Sequence, residues 1–179
     1  MKRSALRRTS RTSSGSTSKS KPDDPSNATI WFLGRAYYAY VGVLEEVLAE
    51  CEIDQYVLPG MGHVLVALFE EDQCSIKTIA LRAHLSHSAL TKLLKRMEQV
   101  GLIERTRDER DSRVVRVTLT ALGRSIRPRF YKAVGIMNGL FSNGLGAKGA
   151  IQLKRLLHRL METLHVEEKE RRATRKQTD

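Results

Sequence analysis

Between Ser75 and Leu119 the apolar residues change period, and that change restricts the chain to a few folds. Ile79, Ala80 and Ala83 mark one face of a short helix over Ile76 to Ala83, with Ser75 as its N-cap. The chain turns at His84-Leu85. Ser86 caps a second helix from His87 to about Val100, whose apolar positions are Leu90, Leu93, Leu94, Met97 and Val100. Gly101 ends it in the left-handed conformation that costs glycine least. Alternation then replaces helical spacing. Leu102 to Arg107 reads as a strand and Asp108 to Ser112 as a polar turn. Val114, Val115, Val117 and Leu119 mark the returning strand. Two short helices, a tight turn and an immediate hairpin predict a helix-turn-helix with a wing.

Helices flank this block. Ile30, Leu33, Tyr37, Tyr40, Val41, Leu44, Val47 and Leu48 recur at helical spacing from about Thr29 to Glu50, with Asn27 as candidate N-cap. An apolar face on so long a terminal helix is either core or a dimer seam. Pro59-Gly60 interrupts the chain, and Met61 to Glu71 resumes through Val64, Leu65, Leu68 and Phe69. Thr120 caps a helix running past Leu122 and Ile126, with Pro128 near its first turns as a possible kink. The pattern weakens at Gly135, Gly139 and Asn143-Gly144. It returns from Ala147 to about Arg172, and the last charged residues are expected to fray. Residues 1–27 are rich in Ser, Thr, Arg and Lys with almost no apolar content, so we expect a disordered basic tail. The fold class is mainly α with one small hairpin.

Charge narrows the partners. The chain carries a net +11, unevenly placed: residues 28–74 are net −7 and residues 75–127 net +7. A field concentrated on the predicted helix-turn-helix points to a polyanion, nucleic acid before a membrane surface. Uncharged apolar runs are too short for a membrane span, and no apolar stretch follows the basic N-terminus as in a secretory signal. Two cysteines make no disulfide framework, so a cytoplasmic location is expected. There is no phosphate-cradling glycine loop, no Gly-x-Ser-x-Gly and no placed pair of carboxylates. We therefore expect neither an enzyme nor a cofactor.

An α-helix fits the major groove of B-DNA, and side chains near its N-terminus reach base edges. Ser88, Thr91 and Lys92 stand at those positions, with His87 at the entry. Lys95 and Arg96, further along, suit phosphate contact, and Ser86 with the first-turn N–H groups offers a phosphate site. On the hairpin, Arg110 or Arg113 can enter the minor groove, while Arg105, Arg107 and Arg116 on the strands suit backbone contact. The plainer readings are a solvated basic helix face, and a polar turn at Asp108 to Asp111.

Other clusters are weaker. Cys51 lies between Glu50 and Glu52, and Cys74 near both Lys77 and Asp72, so neither has the electropositive setting of a redox thiol. His63, His84, His87, His158 and His165 lack metal-ligand spacing, so no metal site is expected. Trp31, Tyr37, Tyr38, Tyr40 and His63 fit core or dimer seam singly and a ligand pocket jointly.

Three segments resemble the MarR family of bacterial transcription regulators in their order. They are Gly101-Leu102-Ile103-Glu104-Arg105, Asp108-Glu109-Arg110-Asp111-Ser112-Arg113, and Leu119-Thr120-Ala121-Leu122-Gly123. The similarity covers about Ile30 to Leu164. It implies a winged helix-turn-helix DNA-binding lobe at about 61–120 and dimerisation helices at about 29–51 and 121–165. A charged extension follows at 166–179. It further implies a homodimer on a pseudo-palindromic double-stranded DNA operator. Repression would be relieved by a small phenolic or lipophilic effector, or in some members by thiol oxidation. The thiol-sensing members carry their cysteine near the start of the first helix, where this chain has none. At the wing the resemblance favours Arg113, with Asp111 orienting it through an ion pair. Two other classes remain: a winged-helix protein-interaction module using the acidic first helix, and an architectural nucleic-acid binder with little sequence preference.

Overall fold

The structure is a computed structural model that describes residues 28–108, 111 and 113–178. The basic tail 1–27 with the Asn27 cap, and Arg110 with its neighbours Glu109 and Ser112, lie outside the described residues. In chain order the elements are α1 (Thr29–Glu50), α2 (Gly62–Glu70), β1 (Cys74–Ser75), α3 (Ile76–Ala83) and α4 (His87–Gln99). These are followed by β2 (Ile103–Arg107), β3 (Val115–Leu119), α5 (Ala121–Ser125) and α6 (Arg127–Thr178). No described helix is long and apolar enough to cross a membrane.

The chain divides into two compact units inside α1, after Ala39. In the first, the described part is the opening of α1, where Ile30, Trp31, Phe32, Leu33, Tyr37 and Tyr38 are exposed. The Tyr37 and Tyr38 rings meet edge to face at 5.9 Å. The second unit holds the core. Leu65 and Leu68 of α2, Ile79 of α3, and Leu90, Leu94 and Met97 of α4 are buried with Leu102, Ile103 and Ile126. Burial of this many branched side chains supplies most of the drive to fold.

Local hydrogen bonds set the helix ends. Ser75 Oγ accepts the Thr78 N–H at 3.1 Å, and Ser86 Oγ accepts the Ala89 N–H at 3.3 Å. The tight turn between α3 and α4 is a left-handed cap at His84, φ 51°, with the Leu85 N–H on the Ala80 carbonyl. Gly101 adopts φ 75° after α4, and the Leu102 N–H returns to the Met97 carbonyl at 2.9 Å. Replacing Ser86 with Ala removes an N-cap and is expected to cost about 1 kcal/mol. A urea midpoint equal to wild type would show that the cap is not formed.

Three features differ from the sequence expectation. β1 is a third strand: Cys74 and Ser75 pair antiparallel with Val117 and Arg116, giving the sheet order β1-β3-β2. Two residues carry no alternation to read. Next, α6 stays helical through Gly135, Gly139 and Gly144 and breaks instead at Gly146, with φ 67° and ψ 164°, so that a second helical stretch starts at Ala147 as the sequence reads. That conformation is essentially reserved to glycine. A lone glycine inside a helix weakens it only modestly, so the three earlier glycines are tolerated and the interruption falls at Gly146 alone. The helix also continues to Thr178, past the expected end near Arg172. Pro128 falls in the first turn of α6, where its missing N–H breaks no helical bond.

Candidate nucleic-acid interface

The outer face of α4 is built by spacing. Ser88, Thr91, Lys92, Lys95 and Arg96 fall on one side through spacings of three and four (88/91/95 and 88/92/96), while Leu90, Leu94 and Met97 are buried on the other. All five are exposed, as is His87 at the entry, and Ser86 is half-buried. Among the described residues Lys92, Lys95 and Arg96 have no ion-pair partner. The Thr91 hydroxyl donates to the His87 carbonyl at 2.8 Å. Ser86 Oγ serves as cap and also meets Ser88 Oγ at 3.2 Å. The N–H groups of His87 and Ser88 precede the first capped position and lack helical partners.

The wing residues divide by their partners. Arg105 is bound to Glu98 of α4, with Nε at 3.0 Å from Oε2, so it ties the wing to the helix. That bond holds the Glu98 carboxyl below its ordinary value and raises the Arg105 guanidinium. A depressed carboxyl contributes stability above its unfolded value and loses it as pH falls through the folded one. Arg116 pairs with Asp108 and donates from Nη1 to the Gln73 carbonyl at 3.0 Å. Arg107 and Arg113 are exposed with no ion-pair partner among the described residues. Asp111 departs from the expectation. Its Oδ1 accepts the backbone N–H of Arg113 at 3.0 Å, so it shapes the turn rather than pairing with the guanidinium. The short spacing of residues 111 and 113 makes the backbone donor nearer than the side chain. Asp108 Oδ1 accepts the Asp111 N–H at 3.0 Å in the same turn.

Asp72 belongs to this region and escaped the sequence reading. Its carboxylate accepts the Leu119 N–H at 2.9 Å and Arg124 Nη1 at 3.0 Å. Contacts 47 and 52 residues away leave no local pattern.

Beside the lobe, a cavity of about 250 Å³ opens between the second half of α1, α2 and α6. Leu48, Val57 and Met137 form its buried floor, and Tyr40, His63 and Asn138 its exposed rim. Of the five residues read singly as core or dimer seam and jointly as a ligand pocket, Tyr40 and His63 line this cavity, whereas Trp31, Tyr37 and Tyr38 are exposed on α1. Both cysteines are buried. The Cys74 thiol is pushed up by burial and then by the Glu71 carboxylate, against a smaller opposing pull from Arg82. A thiol so placed is a poor nucleophile. Among the described residues no group of three or more His, Cys, Asp or Glu could hold a metal ion.

Comparison with known proteins agrees with this geometry. The MarR family model matches residues 60–115. The organic hydroperoxide resistance transcriptional regulator of Bacillus subtilis (strain 168) is 37% identical over 101 residues, covering 56% of this chain and 67% of that protein. Among solved structures, the PcaV transcriptional regulator of Streptomyces coelicolor in complex with its natural ligand is similar at TM-score 0.67 and 22% identity, covering 78% of this chain and 95% of that one. BpsR of Bordetella bronchiseptica, whose DNA binding is regulated by 6-hydroxynicotinic acid, is similar at TM-score 0.66 and 21% identity, covering 78% and 98%. At those identities the two structures establish a shared winged-helix fold.

Proposed function

We propose that this chain, which belongs to the MarR family of transcriptional regulators, acts as a homodimeric repressor released by a small-molecule effector. The observation that carries this reading is the α4 face. Three cations without partners among the described residues stand beside Ser88 and Thr91 on a capped helix of the size that enters a major groove. Ser88, Thr91 and Lys92 read base edges. Lys95, Arg96, Ser86 and His87 hold phosphates, and Arg105 and Arg107 set the wing on the backbone. Arg113, rather than Arg110 three residues before it, supplies the minor-groove contact.

A second copy covers the apolar surface left bare. α1 exposes Ile30 at 71% and Trp31 at 54%, and the second half of α6 exposes Leu156, Leu160, Met161 and Leu164. Patches of this kind on a water-soluble protein mark an interface. Two-fold pairing would set the two α4 helices roughly 34 Å apart on a pseudo-palindromic site. In this arrangement residues 29–51 and 121–165 form the dimer lobe, residues 61–120 the DNA lobe, and the basic tail a phosphate-binding arm. The effector fits the cavity at Tyr40, His63 and Asn138, and releases DNA only if it binds the free dimer more tightly than the DNA-bound one. The protein works by binding, without catalysis, in the cytoplasm where its DNA partner lies.

Fluorescence anisotropy against DNA from upstream of its own gene and a scrambled control, at low and near-physiological salt, tests the reading. Selective binding that survives the higher salt supports it. Equal binding that vanishes with salt favours an architectural binder. A monomer by light scattering would remove the dimer. Arg113→Ala is expected to lower affinity about tenfold and to erase any preference for A·T flanks. Unchanged affinity and preference would remove the wing contact.

A further inference from the structure

The link from α2 to β1 holds the wing from below. Glu71 pairs with Arg82 of α3. Asp72 Oδ1 accepts the Leu119 N–H at 2.9 Å, and its Oδ2 accepts Arg124 Nη1 of α5 at 3.0 Å. The Gln73 carbonyl accepts Arg116 Nη1 at 3.0 Å, and Arg116 pairs in turn with Asp108 where the wing's turn begins. Three consecutive residues thus grip α3, the end of β3 with α5, and the middle of the hairpin.

Register shows what Asp72 does. β1 pairs Cys74 with Val117 and Ser75 with Arg116. Continuing that register places residue 72 opposite Leu119. The Asp72 carboxylate therefore takes the N–H that a longer β1 would have met with a backbone carbonyl. A hairpin whose outer strand is held to β1 by only two residue pairs can act as a lever about its buried base. Its strands of five residues are about 17 Å long, so rocking the base by about 10° moves the tip about 3 Å. An arginine inserted in a narrow groove does not tolerate that displacement.

We propose that Asp72 is a positioning residue for DNA binding. Together with the Arg116 bridge to Gln73, it sets the angle of the wing and thereby delivers Arg113 to the minor groove, without touching DNA itself. The proposal rests on the wing contact described above.

The test uses the full-length protein and a duplex selected by wild type from a random pool, made with A·T or G·C flanks. Melting temperature is recorded for every variant, and affinities are measured well below it. Asp72→Ala is expected to lower affinity for the A·T-flanked duplex about tenfold and to leave the G·C-flanked duplex nearly unchanged. In an Arg113→Ala background the same substitution is expected to have no further effect on affinity, because its route to DNA is gone. A purely structural role predicts equal losses on both duplexes and in both backgrounds, and that result overturns the proposal, as does unchanged affinity. Asp72→Asn keeps an oxygen for the Leu119 N–H while losing the charge facing Arg124. It carries the test if the alanine variant does not fold, with an expected loss of about threefold on A·T flanks alone. If Arg113→Ala itself changes nothing, the wing contact fails and this proposal fails with it.

Discussion

Gly123→Ala is expected to lower the melting temperature by about 10 °C and to disorder the junction between α4 and the wing. Gly123 lies buried in α5, and a Cβ built there would stand 2.1 Å from the Leu102 carbonyl oxygen. That oxygen cannot retreat freely. It accepts the Thr120 N–H at 3.0 Å, and Leu102 is fully buried between α4 and β2. The same corner holds Thr120 Oγ1, which caps α5 by accepting the Gly123 N–H at 3.0 Å and donates to the Gly101 carbonyl. The methyl must therefore push α5 away from the end of α4, straining a packed core and stretching these bonds. Overpacking of this kind, less the gain of Ala over Gly in a helix, comes to about 3 kcal/mol. For a chain this size that is roughly 10 °C. Gly135→Ala is the control: nothing lies within 4 Å of its added Cβ, and a neutral or slightly raised melting temperature is expected. Equal behaviour of the two variants would show that α5 does not approach Leu102 as closely as described.

The double substitution Thr91→Ala and Lys92→Ala is expected to abolish sequence preference while leaving the fold intact. Both side chains are exposed, and alanine is the better helix former, so the melting temperature should hold or rise slightly. At the DNA, each lost base contact costs about 1–3 kcal/mol. Two half-sites double the loss, so specific affinity should fall about a thousandfold or more. Non-specific affinity should fall far less, because Lys95 and Arg96 remain. Titration against the selected and the scrambled duplex separates the outcomes. A variant that still prefers the selected duplex would move base reading away from the start of α4. A parallel loss on both duplexes would make Thr91 and Lys92 backbone contacts.

These two sites differ in how local the interactions that define them are. Thr91 and Lys92 follow from helical spacing after a visible N-cap, and the structure exposes both as the spacing requires. Leu119-Thr120-Ala121-Leu122-Gly123 was equally visible as a string, and Thr120 was read as a cap. What Gly123 packs against was not visible, because the Leu102 carbonyl arrives from the far end of another helix. The wing shows the same division. Its strands and polar tip were legible from alternation. The pairing of Arg105 with Glu98 and the hold of Asp111 on a backbone N–H depend on how the hairpin folds back.

By itself, the sequence determined the local elements: α3 and α4 with their serine caps, the turn at His84, the stop at Gly101, and the switch from a period near four to a period of two. Each is decided by hydrogen bonds and side-chain crowding within about four residues, so the information lies beside the element it governs. Tertiary structure alone decided β1, the grip of Asp72 on Leu119 and Arg124, the close approach at Gly123, and the passage of α6 through Gly135, Gly139 and Gly144. A two-residue strand has no pattern of its own and exists only because β3 offers it a ladder. A carboxylate acquires its partner only when chain segments far apart in sequence are folded together.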